Sequence, residues 1–364
     1  MRFIAYLYLF AIATLLSLIV TRFLLWFSHR FEVYDHPTED KLHTSPTPLL
    51  GGVSIFITMV VVIVSHVILV QFVKSELFEE LFSDEGFRYV VGSKWTKIFG
   101  LCTGWVMIFF LGLWDDLKAM TPYQKLAGQI LAALVLVLCG IRLDIFVPVP
   151  FVGSLITIGW IVLMSNSFNL LDNMDGLSGG VAVISSLIFC VAVFRMGQYF
   201  AAGVLLVFAG SVMGFLYYNF NPARIFMGDS GAMLCGYTLA SVCVLCTFYT
   251  GQNPTRGAVF MPLLILAVPL FDTVSVIVLR IKDKQSIIMG DKQRHFSHRL
   301  VRLGMSTRSA VLFIYIVTFV TGTGALLLGN AQLPEALIVL IQALGIFLII
   351  VLLMMIGIRN APEE

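Results

Sequence analysis

GLCTGWVMIFFLGLWDDLKAMTPYQKLAGQILAALVLVLCG, residues 100–140, decides what kind of protein this is. An apolar run ends in two adjacent carboxylates, Asp115 and Asp116. A short polar turn follows, and a second apolar run begins around Lys125. Two such runs joined by a few polar residues read as two helices crossing a hydrocarbon layer about 30 Å thick, with the acids at its boundary. The rest of the chain repeats the pattern. Of 364 residues, 59% are hydrophobic and 12% charged, and the mean hydropathy is +0.95. No soluble core could absorb that much apolar surface.

A sliding window of about 19 residues places spans near 3–25, 50–72, 96–114, 124–141, 152–165, 179–196, 199–219, 230–249, 257–279, 310–328 and 335–357. The expected fold is therefore all-α: a polytopic membrane protein of about 10–11 transmembrane helices in a single transmembrane domain, 1–364. The first apolar stretch, Phe3 to Trp26, is too long for a signal segment and lacks a small-residue cleavage pattern, so it reads as a retained helix. The formal net charge of +2 and the absence of a dense basic block argue against a nucleic-acid partner and leave bilayer and ligand. Six cysteines lie inside apolar runs, Cys243 and Cys246 in CxxC spacing among them, and are expected to pack as small hydrophobes without disulfides or zinc.

Cytoplasmic loops carry excess Lys and Arg. The loops after odd-numbered spans hold Arg30, Lys41, Lys118, Arg224, Lys282, Lys284, Lys292, Arg294, Arg299, Arg302 and Arg308. The opposite loops mix fewer cations with Glu76, Glu79, Glu80, Asp84 and Glu85. The N-terminus is thus expected outside and the C-terminus inside. On this topology 35–52, 114–129, 166–180, 219–231 and 283–302, which hold nearly all the potentially catalytic residues, share the cytoplasmic face.

Each of these segments carries chemistry. Asp115 and Asp116 repel one another unless a proton or cation intervenes, and a divalent ion bridging to phosphate is one solution. Lys125 is a cation for the acids or for a phosphate. NSFNLLDNMDGLSGG, residues 166–180, places Asn166, Asn169 and Asp172 on one face if the helix persists. Asn173, Asp175 and close-approach glycines follow. NFNPARIFMGDSGAMLCG, residues 219–236, sets Asp229 in a Gly-flanked loop suited to a metal, with Phe226 as an aromatic face for a base. Asp272 lies deeper in a span, equally open to a functional role and to structural pairing. His295 and His298, among Lys292, Arg294 and Arg299, form a grip for phosphate or sugar hydroxyls; contact with anionic lipid is the plainer alternative. Lys41 and His43 add a weak signal before a Pro-to-Gly turn.

These segments together resemble the polyprenyl-phosphate N-acetylhexosamine-1-phosphate transferases, the membrane family that includes the WecA and TagO types and the phospho-MurNAc-pentapeptide transferase. The resemblance rests on DDxxxxxPxxKLxxQ (Asp115 to Gln129), NxxNxxDxxDGL (Asn166 to Leu177) and FMGDSG (Phe226 to Gly231), and covers about Asp35 to Leu300. It implies that a polyprenyl (undecaprenyl) phosphate attacks the sugar-linked phosphate of a UDP-sugar, with UMP leaving. Magnesium, or manganese in its place, is implied as cofactor, and the inner (cytoplasmic) membrane as location, with the active site facing the cytoplasm. Carried over by position, Asp115 orients or deprotonates the lipid phosphate with Asp116 beside it. Asp229 binds metal, and Asp172 completes the metal and phosphate site. Asn169 and Asp175 hold the uridine on which Phe226 stacks, and Lys125 steadies a phosphate. Lys41, His43, Asn166, His295 and His298 join the substrate-binding set.

Two departures bear on the sugar. The histidine motif usually reads HxHH, and here Ser297 replaces its second histidine; the early loop usually carries Arg-Lys, and here Asp40 precedes Lys41. The spaced histidines favour the WecA and TagO side, hence UDP-GlcNAc or a related UDP-HexNAc as donor. A covalent aspartyl-phosphate route is an alternative in this chemistry. Among rival classes, an ion-coupled transporter should hold its acids near mid-membrane on broken helices. The CDP-alcohol phosphotransferases should show AR after DG, where this chain reads LSGGVAV. A homodimer is compatible with the sequence, though no feature demonstrates it.

Overall fold

The computed structural model describes residues 2–35, 46–72, 95–143, 149–246, 256–286, 294–329 and 331–359. Among them, nine helices are long and apolar enough to cross a bilayer, and a tenth span arises if one bent pair counts as one. With the shorter apolar helix Pro122–Leu138, these fill in order the positions of the eleven expected spans. The fold is all-α and polytopic, and the chain packs as two compact units, 1–246 and 247–364.

The first unit contains α1 (Arg2–Phe31), α2 (Gly51–Phe72), α3 (Trp95–Leu117), α4 (Pro122–Leu138), α5 (Pro150–Leu171), α6 (Leu177–Arg195), α7 (Tyr199–Asn219) and α8 (Gly228–Leu245). Between α1 and α2 lies a minimal antiparallel pair, β1 (Tyr34–Asp35) and β2 (Thr47–Pro48), with Tyr34 opposite Pro48. The helix α8 is the core: every residue from Ser230 to Val244 is buried, and it packs against α2, α3, α5 and α6. Because lipid is as apolar as Leu, membrane helices associate through small residues that let backbones approach. Gly210 and Gly214 on α7 follow that rule: an added Cβ would sit 2.5 Å from the carbonyl oxygens of Phe10 and Thr14 on α1. Ser17 Oγ donates to the Ser211 carbonyl at 2.6 Å across the same contact.

The helix α5 runs to Leu171, past the stop expected near residue 165. Asn166 and Asn169 end the apolar run in sequence, but each side-chain amide finds a partner within the bundle, so the helix continues through them.

The second unit contains a 3-10 turn (Arg256–Phe260), α9 (Met261–Ile265), α10 (Ala267–Lys282), α11 (Phe296–Arg302), α12 (Thr307–Ala325), a second 3-10 turn (Leu326–Gly329) and α13 (Leu333–Arg359). The span expected to be continuous over 257–279 is broken between α9 and α10 by a 71° bend. Pro269 accounts for it: its ring has no N–H and clashes with the carbonyl four residues earlier, that of Ile265, the last residue of α9.

Candidate active site

The polar end of the first unit is built from helix ends. At the close of α3 the Asp115 carboxylate takes the Met120 N–H on Oδ1 at 2.6 Å, which folds the connecting turn back. Thr121 then starts α4 with a capping box: its hydroxyl accepts the Gln124 N–H while the Gln124 side chain accepts the Thr121 N–H, and Pro122 fills the first turn. This places Lys125 one turn into α4. Its ammonium pairs with Asp115 Oδ2 at 2.5 Å and with Asp229 Oδ2. Two carboxylates more than a hundred residues apart are thereby joined through one cation.

Asp229 is aimed by the start of α8. Gly228 adopts φ +69°, and a Cβ there would lie 2.7 Å from Asp116 Oδ2, so glycine is required on both counts. Asp116 accepts the Asp229 N–H on Oδ1 at 2.7 Å, and the Ser230 N–H and hydroxyl on Oδ2 at 3.1 and 2.6 Å. The first amides of a helix have no intrahelical acceptor, and a carboxylate suits the positive end of the helix dipole. The Asp116 side chain is thus committed to the backbone that carries Asp229.

The 166–180 segment supplies the opposite wall. Asn169 Nδ2 donates to Asp229 Oδ1 at 2.8 Å, which leaves both Asp229 oxygens engaged. Asn166, one turn back, faces Gln129 in a reciprocal amide pair at 2.6 and 3.2 Å, tying α5 to α4. Asn173 caps the Leu170 carbonyl. Asp175 Oδ2 accepts both Asn221 Nδ2 and the Ala223 N–H at 3.0 Å, so it closes the NPAR loop after α7. Asn219 fixes the other side: its Oδ1 accepts the Gly176 N–H and its Nδ2 donates to the Ile225 carbonyl.

Asp172 differs from the rest. Among the described residues no donor reaches its carboxylate. Burial, then the charges of Asp229, Asp116 and Asp175, push its carboxyl well above the usual range. The centre therefore lacks positive charge around Asp172 even with Lys125 in place. Among the described residues no three His, Cys, Asp or Glu side chains could hold an ion by themselves. Magnesium does not need such a cage, because it is commonly held by one or two carboxylates with substrate phosphates and water. Asp172 with Asp229, whose charge acts on it, fits that pattern.

Phe226 and the chain around it knit this end together. The Phe226 N–H donates to the Pro48 carbonyl at 2.8 Å, and the Gly51 and Gly52 amides donate to the Phe226 and Met227 carbonyls at 3.0 and 2.9 Å. The β1–β2 pair, whose ends bracket residues 36–45, is therefore anchored on the segment that leads into Asp229. Lys41 and His43 lie outside the described residues.

The second unit holds its own polar cluster. His295 Nδ1 lies 2.8 Å from Asp272 Oδ2, and the Phe296 N–H donates to Asp272 Oδ1 at 2.6 Å. The intramembrane acid is a paired one. The His298 ring stands 6.4 Å from that of His295. Burial, then the neighbouring His295 and Arg302, push its imidazole below the usual range. Arg299 donates to Ser275 Oγ at 2.7 Å, and Arg294 pairs with Asp283 at 3.0 Å. Sequence reasoning did not nominate Gln129, Asn219, Asn221 or Ser230. All four stood inside the quoted segments, but Gln129, Asn221 and Ser230 find their partners on distant segments, as does Asn219 at Gly176, beyond the reach of a local pattern.

Residues 98–247 match the family described as Glycosyl transferase family 4. The chain is similar to a probable undecaprenyl-phosphate N-acetylglucosaminyl 1-phosphate transferase of Bacillus subtilis, 31% identical over 91% of this chain and 87% of the relative. It is 32% identical to a decaprenyl-phosphate N-acetylglucosaminephosphotransferase of Mycobacterium leprae, over 82% of this chain and 77% of that one. A phospho-N-acetylmuramoyl-pentapeptide-transferase of Staphylococcus carnosus is 24% identical over 80% and 88%.

Proposed function

The chain belongs to glycosyl transferase family 4, among its polyprenyl-phosphate N-acetylhexosamine-1-phosphate transferases, and from that premise we propose that it transfers GlcNAc-1-phosphate from UDP-GlcNAc to a polyprenyl phosphate. It is a membrane phosphoglycosyltransferase. A lipid phosphate oxygen attacks the sugar-linked phosphorus, the bond between the two phosphates of the donor breaks, and UMP departs with the electron pair. The product is a polyprenyl-diphosphate sugar, the first lipid-linked intermediate of an envelope polysaccharide. The names of the relatives leave the transporter alternative without support.

One observation carries this reading: Lys125 joins Asp115 and Asp229, from two separate motifs, with Asn169 on the far oxygen of Asp229, while Asp172, which no donor among the described residues reaches, feels the Asp229 charge. Phosphoryl transfer asks little covalent chemistry of a protein and much positioning and charge neutralisation. Asp115 orients the lipid phosphate and takes its remaining proton once Lys125 turns toward incoming phosphate. Lys125 then neutralises charge on the donor. Asp116 holds the start of α8 so that Asp229 keeps its aim. Asp229 and Asp172 would hold magnesium, which supplies neutralisation of the diphosphate and of the leaving UMP. Asp175 and Asn169 with Phe226 bind the uridine, and His295 and His298 grip phosphate or sugar. The Lys and Arg bias of the loops supports a site facing the cytoplasm.

The test is direct. Purified protein is incubated with polyprenyl phosphate, magnesium and a panel of labelled UDP-sugars, and both UMP release and lipid-bound label are scored. Transfer from UDP-GlcNAc, abolished by chelation and by Asp115→Asn or Asp229→Asn, is expected. Folded protein that transfers no sugar would sink the assignment.

A further inference from the structure

Asp272 is an acid inside a bent span, where an ionisable group is costly unless its partners compensate. Both of its oxygens are engaged, and both by the short segment that begins α11. Oδ1 accepts the Phe296 N–H at 2.6 Å, one of the amides a helix start leaves without an acceptor, and Oδ2 faces His295 Nδ1 at 2.8 Å. The acid and imidazole are 1% and 2% exposed, so water does not compete for either. The Asp272 carbonyl takes the Ser275 hydroxyl at 2.9 Å, and Ser275 Oγ in turn takes the Arg299 guanidinium. One turn of α10 therefore fixes both the histidine and the arginine of the following motif.

A carboxylate at Nδ1 decides which ring nitrogen carries the proton. We propose that Asp272 is a positioning residue: it holds His295 with a proton on Nδ1, so that Nε2 carries the lone pair and accepts from a sugar hydroxyl of the substrate. The identity of that ligand rests on the transferase reading; the state of the ring does not. Asparagine cannot reproduce the arrangement. It has one acceptor oxygen for two donors, and its amide turned toward Nδ1 forces the proton to Nε2. The same exchange in a Ser-His-Asp triad lowers turnover about 10⁴-fold through the wrong tautomer.

The test uses the full chain in lipid nanodiscs with ¹⁵N-labelled histidine, His295 being assigned by its loss in His295→Ala. Wild type is expected to show a protonated Nδ1, and Asp272→Asn the Nε2-protonated tautomer. Transfer from UDP-GlcNAc should fall by about 10² to 10⁴, and Asp272→Asn/His295→Ala should be no worse than His295→Ala alone. A wild-type ring with bare Nδ1 overturns the proposal even if the variant does not fold. Losses that multiply in the double variant overturn it as well. Wild type inactive on every sugar, with Nδ1 protonated, would remove the transferase reading and leave the tautomer assignment standing.

Discussion

Asp116 binds Ser230 twice through one oxygen, taking its backbone N–H at 3.1 Å and its hydroxyl at 2.6 Å on Oδ2. With the Asp229 N–H on the other oxygen, three donors depend on this acid. Asp116→Ala leaves two helix-start amides without an acceptor, a loss of about 1–3 kcal/mol for each group that stays buried. Its thermal midpoint in nanodiscs should drop well below wild type, and transfer with it. Ser230→Ala removes only the hydroxyl bond, about 1 kcal/mol, and its effect should not add fully to that of Asp116→Ala. Asp115→Asn keeps an acceptor for Met120 and should lose transfer with a smaller thermal change. Wild-type stability in Asp116→Ala would refute the structural role.

Lys125 is a resident cation between Asp115 and Asp229. Lys125→Met removes that charge and keeps the bulk. In chelator the variant should melt below wild type, because the acids then repel without relief. Added magnesium should restore more stability to the variant than to wild type, while transfer falls at least about tenfold through lost charge neutralisation. An equal magnesium gain in both proteins would show that Lys125 and the metal do not answer the same charge.

The parts of this centre that sequence makes legible are those set by local pattern. Apolar runs locate the spans, and adjacent Asp115 and Asp116 demand an offsetting cation. The two acids then diverge for a reason no local pattern holds: one faces Lys125, and the other faces the backbone of a helix more than a hundred residues on. Asn166 and Asn169 share a face as expected, yet one meets Gln129 and the other Asp229. The bend after Ile265 was readable in principle from Pro269, but hydropathy averages across it. For Asp272 the sequence left two roles open, and only the contact with His295 distinguishes them.

Glycines offer a sharper contrast. A Cβ on Gly112 of α3 would lie 2.4 Å from Ser230 Cα and 2.5 Å from its nitrogen, backbone that cannot step aside. Gly112→Ala should therefore push α3 off α8, cost about 1–3 kcal/mol, and lower transfer by disturbing Asp229. Gly159 in α5 has nothing within 4 Å of its added Cβ. Gly159→Ala should stabilise by about 0.5–1 kcal/mol through helix propensity alone and leave transfer unchanged. Thermal midpoints of the two variants in one nanodisc preparation decide it; equal shifts would contradict the packing.

His298 gives a pH dependence with a definite sign. Burial and the nearby His295 and Arg302 lower its pKa from 6.5, with Asp272 opposing them weakly. The folded chain thus resists protonating this ring more than the unfolded chain does. The unfolded state binds more protons between the two pKa values, so stability rises with pH across that interval. Stability is complete above about 6.5, the unfolded value, and is lost as pH falls through the lower, folded one. His298→Gln cannot be protonated, so its thermal midpoint should decline less than that of wild type on the acid side, with the two curves parallel above neutrality. A variant that tracks wild type throughout the acid limb would assign that limb to other groups.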